Sequence, residues 1–279
     1  MPVKIEDLDP LLKLALKEDI PEGDITSESI IEPDSFSEAV ILAKESGISA
    51  GIEVAHRVFH LIDKTLVFRK RLEDGQYFAP GQVLTEIRGS SISILKGERT
   101  ALNFLQRLSG IATATQKFVE ALKGSKTVVL DTRKTTPGLR ALEKYAVRVG
   151  GGRNHRFNLS EMVLIKDNHL RVVKSIATAV KRARKRVGPE AEIEVEVSSL
   201  EEAEEAIKSG ANRVMLDNMD LEELKKVVPR LKGRVVLEVS GKVSLAEIRG
   251  LASLGVDYIS IGSLTHSYKS IDISLEFLG

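Results

Sequence analysis

A chain of 279 residues with 41 basic and 40 acidic side chains carries a formal net charge of +1, so no overall field draws it toward nucleic acid or a membrane. The absence of cysteine excludes disulfides and thiolate metal centres. There is no apolar run near 18 residues and no charged start followed by an apolar core, so a cytoplasmic protein of one or two domains is expected. Only ten residues are Asn or Gln beside abundant Lys and Glu, a balance that leans toward a thermophilic source.

In chain order, Leu8 to Leu16 places Leu and Ala at helical spacing behind Asp7 and Asp9, and Pro21-Glu22-Gly23-Asp24 ends that helix. From Ser37 to Arg88, strand-like runs (Ala39 to Ala43, Thr65 to Arg69, Gln82 to Ile87) accompany one helical run, Gly51 to Ile62. Turns fall at Asp74-Gly75 and Pro80-Gly81, and the stretch reads as a compact α+β unit. Ile94 to Leu122 is one long helical pattern with Ser109-Gly110 as the place for a kink, and it bridges to the second half.

Beyond the bridge the text becomes periodic. Thr127 to Leu130 is a buried strand that stops at Asp131-Thr132-Arg133-Lys134. Pro137-Gly138 opens a helix that closes before Gly150-Gly151-Gly152, and Arg153, Asn154, His155 and Arg156 then gather in a loop. Met162 to Ile165 is a second strand, delivering Lys166; later strand ends fall at Glu196, Asp217, Ser240 and Gly262. Helices are read over Leu170 to Val187, Leu200 to Ser209, Leu221 to Leu231 and Leu245 to Leu254, with Gly210, Gly233 and Gly255 at C-cap positions. Strands alternating with helices imply a parallel sheet. Polar residues at the carboxyl end of every strand imply an α/β barrel, because an open sheet needs them only near its switch point. Six units fall short of the eight of a closed barrel, so it is incomplete or closed by other elements. The tail, Ile271 to Phe277, alternates like a strand and is expected to return to the first domain.

Arg133, Lys134, His155, Arg156 and Lys166 thus concentrate at strand ends and loops, which points to a polyanionic ligand. Glu196 and Asp217 end neighbouring strands, where they are either hard oxygen ligands for Mg²⁺ or sugar hydroxyls, or partners of Lys166 in an ion-pair network. Ser240-Gly241 and Ile261-Gly262-Ser263 follow the last two strands, where barrels cradle phosphate with backbone N–H groups. The run KRARKR, Lys181 to Arg186, reads as a solvated helix face before a nucleic-acid contact.

These motifs together resemble the quinolinate phosphoribosyltransferase family over essentially the whole chain. The resemblance is carried by EDIPEGDIT, ERTALNFLQRLSGIAT, DTRKTTPGLR, GGGRNHRFNLS, LIKDNH, EVEV, MLDN, EVSG and SIGSLTHS, in the family's order. It implies an N-terminal α/β sandwich (residues 1–108, joined by a strand in 270–279) and an incomplete, TIM-like α/β barrel (109–269), working as a homodimer or larger assembly with a shared active site. It also implies transfer of phosphoribosyl from phosphoribosyl diphosphate to quinolinate with decarboxylation, in NAD biosynthesis, with Mg²⁺ accompanying the diphosphate. By the same match Arg99, Thr132, Arg133, Lys134, His155, Arg156 and Lys166 surround the anionic substrates, Arg99 coming from a neighbouring subunit. Glu196 and Asp217 lie near ribose and Mg²⁺, directly or indirectly, and Ser240, Gly241, Lys242, Ile261, Gly262 and Ser263 near phosphate. Lys134, Lys166, Glu196 and Asp217 are the catalytic candidates. Lys242 departs from the family pattern, since many relatives carry a second glycine there. Three alternatives stay open: a related phosphoribosyltransferase acting on nicotinate or another ring acid, a Schiff-base barrel lyase using Lys166 or Lys134, and a non-catalytic binder of phosphorylated metabolites or RNA.

Overall fold

The computed structural model describes residues 4–278. The chain forms two compact units: one from the chain up to Gln116, Thr136–Gly151 and the chain from Ser267, the other from Lys117–Thr135 and Gly152–His266. Among the described residues no helix is long and apolar enough to cross a membrane.

The first unit is built on an antiparallel sheet. Its strands are β1 (Phe36–Ala43), β2 (Gly47–Ile48), β3 (Val67–Lys70), β4 (Tyr77–Phe78) and β5 (Val83–Ser90). The four-stranded sheet runs β12-β1-β5-β3, where β12 (Ile273–Leu278) is the tail read as a strand; β2 and β4 pair separately. Helices α1 (Asp9–Asp19), α2 (Ile25–Ile30) and α3 (Ile52–Ile62) accompany it. In α3, Ile52, Ala55, Val58 and Phe59 recur at helical spacing and are almost fully buried. Each large one of these stabilises the fold by roughly 1.5–3 kcal/mol on leaving water. Asp74, in the turn marked by Asp74-Gly75, accepts the N–H groups of Gly51 at 2.8 Å and Ile52 at 3.1 Å, satisfying donors at the start of α3.

Helix α4 (Ser91–Ala121) runs unbroken through Ser109-Gly110, where a kink was allowed for. Gly110 serves close packing instead: a Cβ there would come within 2.3 Å of the Lys269 carbonyl oxygen. Helix α5 (Arg140–Val149) follows, with Glu143 and Lys144 buried on it.

The second unit is a parallel sheet of six strands: β6 (Val128–Leu130), β7 (Val163–Ile165), β8 (Ile193–Val197), β9 (Arg213–Asp217), β10 (Val236–Ser240) and β11 (Tyr258–Ser260). Their order is β6-β11-β10-β9-β8-β7. The first strand therefore pairs with the last, as in a barrel, and the seam between β6 and β7 is the unpaired one, so the barrel is incomplete. Arg153 lies on the free edge of β6: its N–H donates to the Val129 carbonyl at 2.9 Å, and the Arg153 carbonyl accepts the Asp131 N–H at 3.1 Å.

Between the strands lie α6 (Asp167–Val173), α7 (Ile176–Val187), α8 (Leu200–Lys208), α9 (Leu221–Leu231), α10 (Ile248–Ser253) and the short α11 (Ser263–His266). The single helix expected over Leu170 to Val187 is two. Lys174 adopts φ 61°, which ends α6, and the Ser175 hydroxyl accepts the Thr178 N–H at 3.1 Å, which starts α7 afresh. Helix α10 begins later than expected, because Ser244 to Glu247 close a turn on the Glu247 carboxylate. Gly210, Gly233 and Gly255 take positive φ just past α8, α9 and α10, as their C-cap reading requires.

Candidate active site

Parallel strands put alternate side chains on the inner face. Adjacent pairs in register are Glu194 with Arg213, Glu238 with Met215, and Ser240 with both Asp217 and Ser260. The carboxyl ends of these strands open on a cavity of about 1300 Å³. Thr132, Arg133 and Lys134 reach it after β6, His155 and Arg156 from the following loop, and Lys166 after β7. Glu196 comes from within β8, Asp217 from the end of β9, Ser240, Gly241 and Lys242 from the end of β10, and Gly262 and Ser263 after β11. Side chains spread over more than a hundred positions thus line one space.

Two expected residues do not line it. The Ile261 side chain is 1% exposed, buried in the core, and its N–H is spent on the Leu130 carbonyl at 2.9 Å. Arg99 belongs to α4 in the first unit, with its side chain 57% exposed and Glu98 4.0 Å away.

The loop of Arg153 to Arg156 is held from below by Asp131, which is fully buried. Asp131 accepts the His155 N–H at 2.9 Å on one oxygen and the Asn154 side-chain amide at 2.5 Å on the other. The Arg156 N–H donates to His155 Nδ1 at 2.7 Å, so that nitrogen carries no proton and Nε2 does. Nε2 faces Glu194 Oε2 at 3.0 Å and Glu238 Oε1 at 3.6 Å. His155 therefore lines the cavity with its ring nitrogens turned to protein. Arg156 Nη1 donates to the Met162 carbonyl at 3.0 Å. Burial, then the Arg133 charge, lowers the Arg156 pKa.

Beneath the cavity floor the barrel interior is ionic. Glu194 and Glu238 are both fully buried. Burial pushes each carboxyl up to about 7, and the neighbouring Glu194 charge adds to the rise at Glu238. Arg213 bridges Glu192 at 2.8 Å and Glu238 at 3.1 Å, and its guanidinium lies 4.6 Å over the Tyr258 ring. Burial works against the Arg213 charge, but Glu194, Glu192 and Glu238 outweigh it and raise its pKa. Ser260 donates its hydroxyl to Glu238. Neither Glu238 nor Arg213 is among the residues expected from the sequence, although Glu238 shares strand parity with Ser240, and Arg213 with Asp217.

At the mouth, Lys166 Nζ donates to Glu196 Oε2 at 2.8 Å, so the ion pair weighed for these residues exists. Thr265 donates its hydroxyl to the Lys134 carbonyl at 2.8 Å, and the Lys134 N–H donates to Thr132 Oγ1 at 3.0 Å. A Cβ on Gly262 would lie 3.1 Å from both Lys134 Cδ and His266 Nε2, so a side chain there would crowd the cavity wall. The lining sets Arg133, Lys134, Arg156, Lys166, Arg171 and Lys242 beside the carboxylates of Asp167, Glu196, Glu202 and Asp217, an arrangement for a ligand with several anionic groups and a polar or cationic centre.

Comparison with known proteins agrees with that chemistry. Residues 24–109 match the model of the quinolinate phosphoribosyl transferase N-terminal domain, and residues 111–276 that of its C-terminal domain. The nicotinate-nucleotide pyrophosphorylase (carboxylating) of Arabidopsis thaliana is 42% identical across 97% of this chain and 82% of its own. The Bacillus subtilis protein named "probable nicotinate-nucleotide pyrophosphorylase (carboxylating)" is 44% identical across 96% of this chain and 93% of its own. The crystal structure of NadC from Streptococcus pyogenes superposes with a TM-score of 0.94 at 44% identity, covering all of both chains.

Proposed function

The chain belongs to the quinolinate phosphoribosyltransferase family, and from that premise we propose that it moves the phosphoribosyl group of phosphoribosyl diphosphate onto quinolinate. Diphosphate, CO₂ and nicotinate mononucleotide are released, a step of de novo NAD biosynthesis. The observation that supports this reading best is the single cavity lined by Arg133, Lys134, Arg156 and Lys166 together with Glu196, Asp217 and the glycine turns.

The chemistry suits those residues. As diphosphate leaves, positive charge develops at the anomeric carbon, and the half-buried carboxylates of Glu196 and Asp217 are the groups able to stabilise it. The pyridine nitrogen is already a nucleophile, so no protein base is needed. Once ribosylated, that nitrogen is cationic and its charge stabilises the electron pair left on C2 when CO₂ departs, a pair that a proton from solvent then takes up to give the nucleotide. Positioning is then the protein's main contribution. Arg133, Arg156 and Lys166 grip the two ring carboxylates, the arginines by bidentate pairing. His155, with both ring nitrogens on protein partners, serves by holding Arg156 in place. Lys134, Ser240, Gly241, Lys242, Gly262 and Ser263 face the phosphates.

Asp217 and Glu196 offer hard oxygen donors at the cavity edge, which fits Mg²⁺; they would hold it, and it would neutralise the departing diphosphate. Arg99, exposed and outside the cavity lining, would be contributed by one copy of the chain to the site of another in a homodimer or hexamer. The reaction belongs in the cytoplasm on this reading. A Schiff-base lyase has less support, because Lys166 Nζ is held by Glu196 at a half-exposed mouth and not kept in a dry apolar pocket.

The test is to incubate the protein with quinolinate, phosphoribosyl diphosphate and Mg²⁺. CO₂ and nicotinate mononucleotide should appear in equal amounts, with nicotinate as the control ring acid. Turnover of nicotinate in place of quinolinate would overturn the assignment.

A further inference from the structure

Among the described residues only Lys174 and Asn218 take positive φ without being glycine. Lys174 ends a helix; Asn218, at φ 54°, lies in the cavity wall directly after Asp217. Left-handed backbone is disfavoured for side chains other than those of Asn, Asp and His, and its persistence at one position calls for compensating contacts. Three such contacts surround Asn218. Its side-chain amide donates to Asp217 Oδ2 at 2.6 Å. Its N–H donates to the Ser240 carbonyl at 3.0 Å. Its Oδ1 lies where a Cβ on Gly241 would come to 3.1 Å, so the turn after β10 rests against it only because residue 241 has no side chain.

We propose that Asn218 is a positioning residue for the phosphoribosyl substrate, joining the Asp217 carboxylate and the Ser240-Gly241 turn into one rigid wall. The inference rests on the transfer reaction proposed above. The amide holds Asp217 by one oxygen and leaves the other for the sugar or its metal. The backbone contacts set the turn that faces phosphate. A plain turn residue would need the left-handed backbone alone; the amide aimed at Asp217 is what a turn role leaves unexplained.

Asn218→Gly separates the two, since glycine keeps the backbone conformation and loses the amide. This variant should keep the melting temperature of the unaltered chain while its kcat/KM for phosphoribosyl diphosphate falls about 10- to 100-fold, the usual effect of removing a group that orients a ligating carboxylate. Its KM for quinolinate should stay put. The rise in melting temperature that phosphoribosyl diphosphate with Mg²⁺ causes in the unaltered chain should shrink, and higher Mg²⁺ should restore part of the lost rate. Asn218→Ala should lose melting temperature as well, because alanine resists positive φ. Unaltered kinetics and ligand stabilisation in Asn218→Gly would overturn the proposal, as would an equal rise in KM for both substrates. If the unaltered chain turns over nothing yet is stabilised by phosphoribosyl diphosphate in a manner that needs Asn218, the reaction reading falls and the positioning role stands.

Discussion

His155 Nε2 lies 3.0 Å from Glu194 Oε2 in the closed interior of the barrel, and neither side chain is appreciably exposed. The pair joins the cavity-lining loop to a buried ionic cluster that also includes Glu238 and Arg213. That cluster makes stability depend on pH. Burial raises the Glu238 carboxyl from an ordinary 4.5 to about 7. A raised acid stabilises the folded state fully below its unfolded value, and the contribution is lost as pH climbs through the folded value. Urea unfolding should therefore show the chain losing up to about 3 kcal/mol between pH 4.5 and 7.5 relative to Glu238→Gln, which has no proton to release. Parallel curves for the two proteins across that range would contradict this account.

Asp131 should prove more important than its place in the DTRK motif suggests. Removing its carboxylate in Asp131→Ala takes a partner from the buried His155 N–H and from the half-buried Asn154 amide. The expected cost is about 2 kcal/mol of folding stability by chemical denaturation. A raised KM for quinolinate should accompany it, because the loop that presents Arg156 loosens.

Arg133→Ala should mainly weaken the use of quinolinate. Losing one charge-assisted, bidentate contact corresponds to about 1.5–3 kcal/mol, or roughly a 10- to 100-fold higher KM for quinolinate, with that for phosphoribosyl diphosphate little altered. Arg133→Lys should restore only part of it, since an ammonium cannot make the paired contact. Steady-state kinetics with each substrate varied in turn decide the matter, and unchanged quinolinate kinetics in Arg133→Ala would remove the residue from the carboxylate grip.

Gly110→Ala tests the long helix. The added methyl would meet the Lys269 carbonyl oxygen at 2.3 Å and Ser270 Cα at 3.0 Å, both backbone atoms that cannot swing aside. Destabilisation of about 1–3 kcal/mol is expected from overpacking, although alanine is the better helix former. A variant as stable as the parent would show that the tail can shift to make room.

Much of this molecule was legible along the chain. Thr127 to Leu130, Met162 to Ile165 and EIEVEV announce buried strands by composition, and Gly210, Gly233 and Gly255 mark helix ends by the conformation only glycine adopts freely. Those signals are local, set within a few residues by sterics and hydrogen bonding, and they were enough to bring Arg133, Lys166, Glu196 and Asp217 to strand ends. The strand-end cations pointed to a polyanionic ligand, and the family resemblance carried by motifs along the whole chain implied the reaction. What the linear text could not decide was set by partners distant in sequence. His155 meets Glu194 across 39 positions and Arg213 meets Glu238 across 25, so whether each charge is solvated or buried depends on the closing of the sheet. The sheet wraps until β6 pairs with β11, and the burial of Glu194 and Glu238 inside it raises both carboxyls to about 7. Tertiary folding likewise placed Ile261, one residue past β11, in the core, with its N–H on the Leu130 carbonyl of the distant β6.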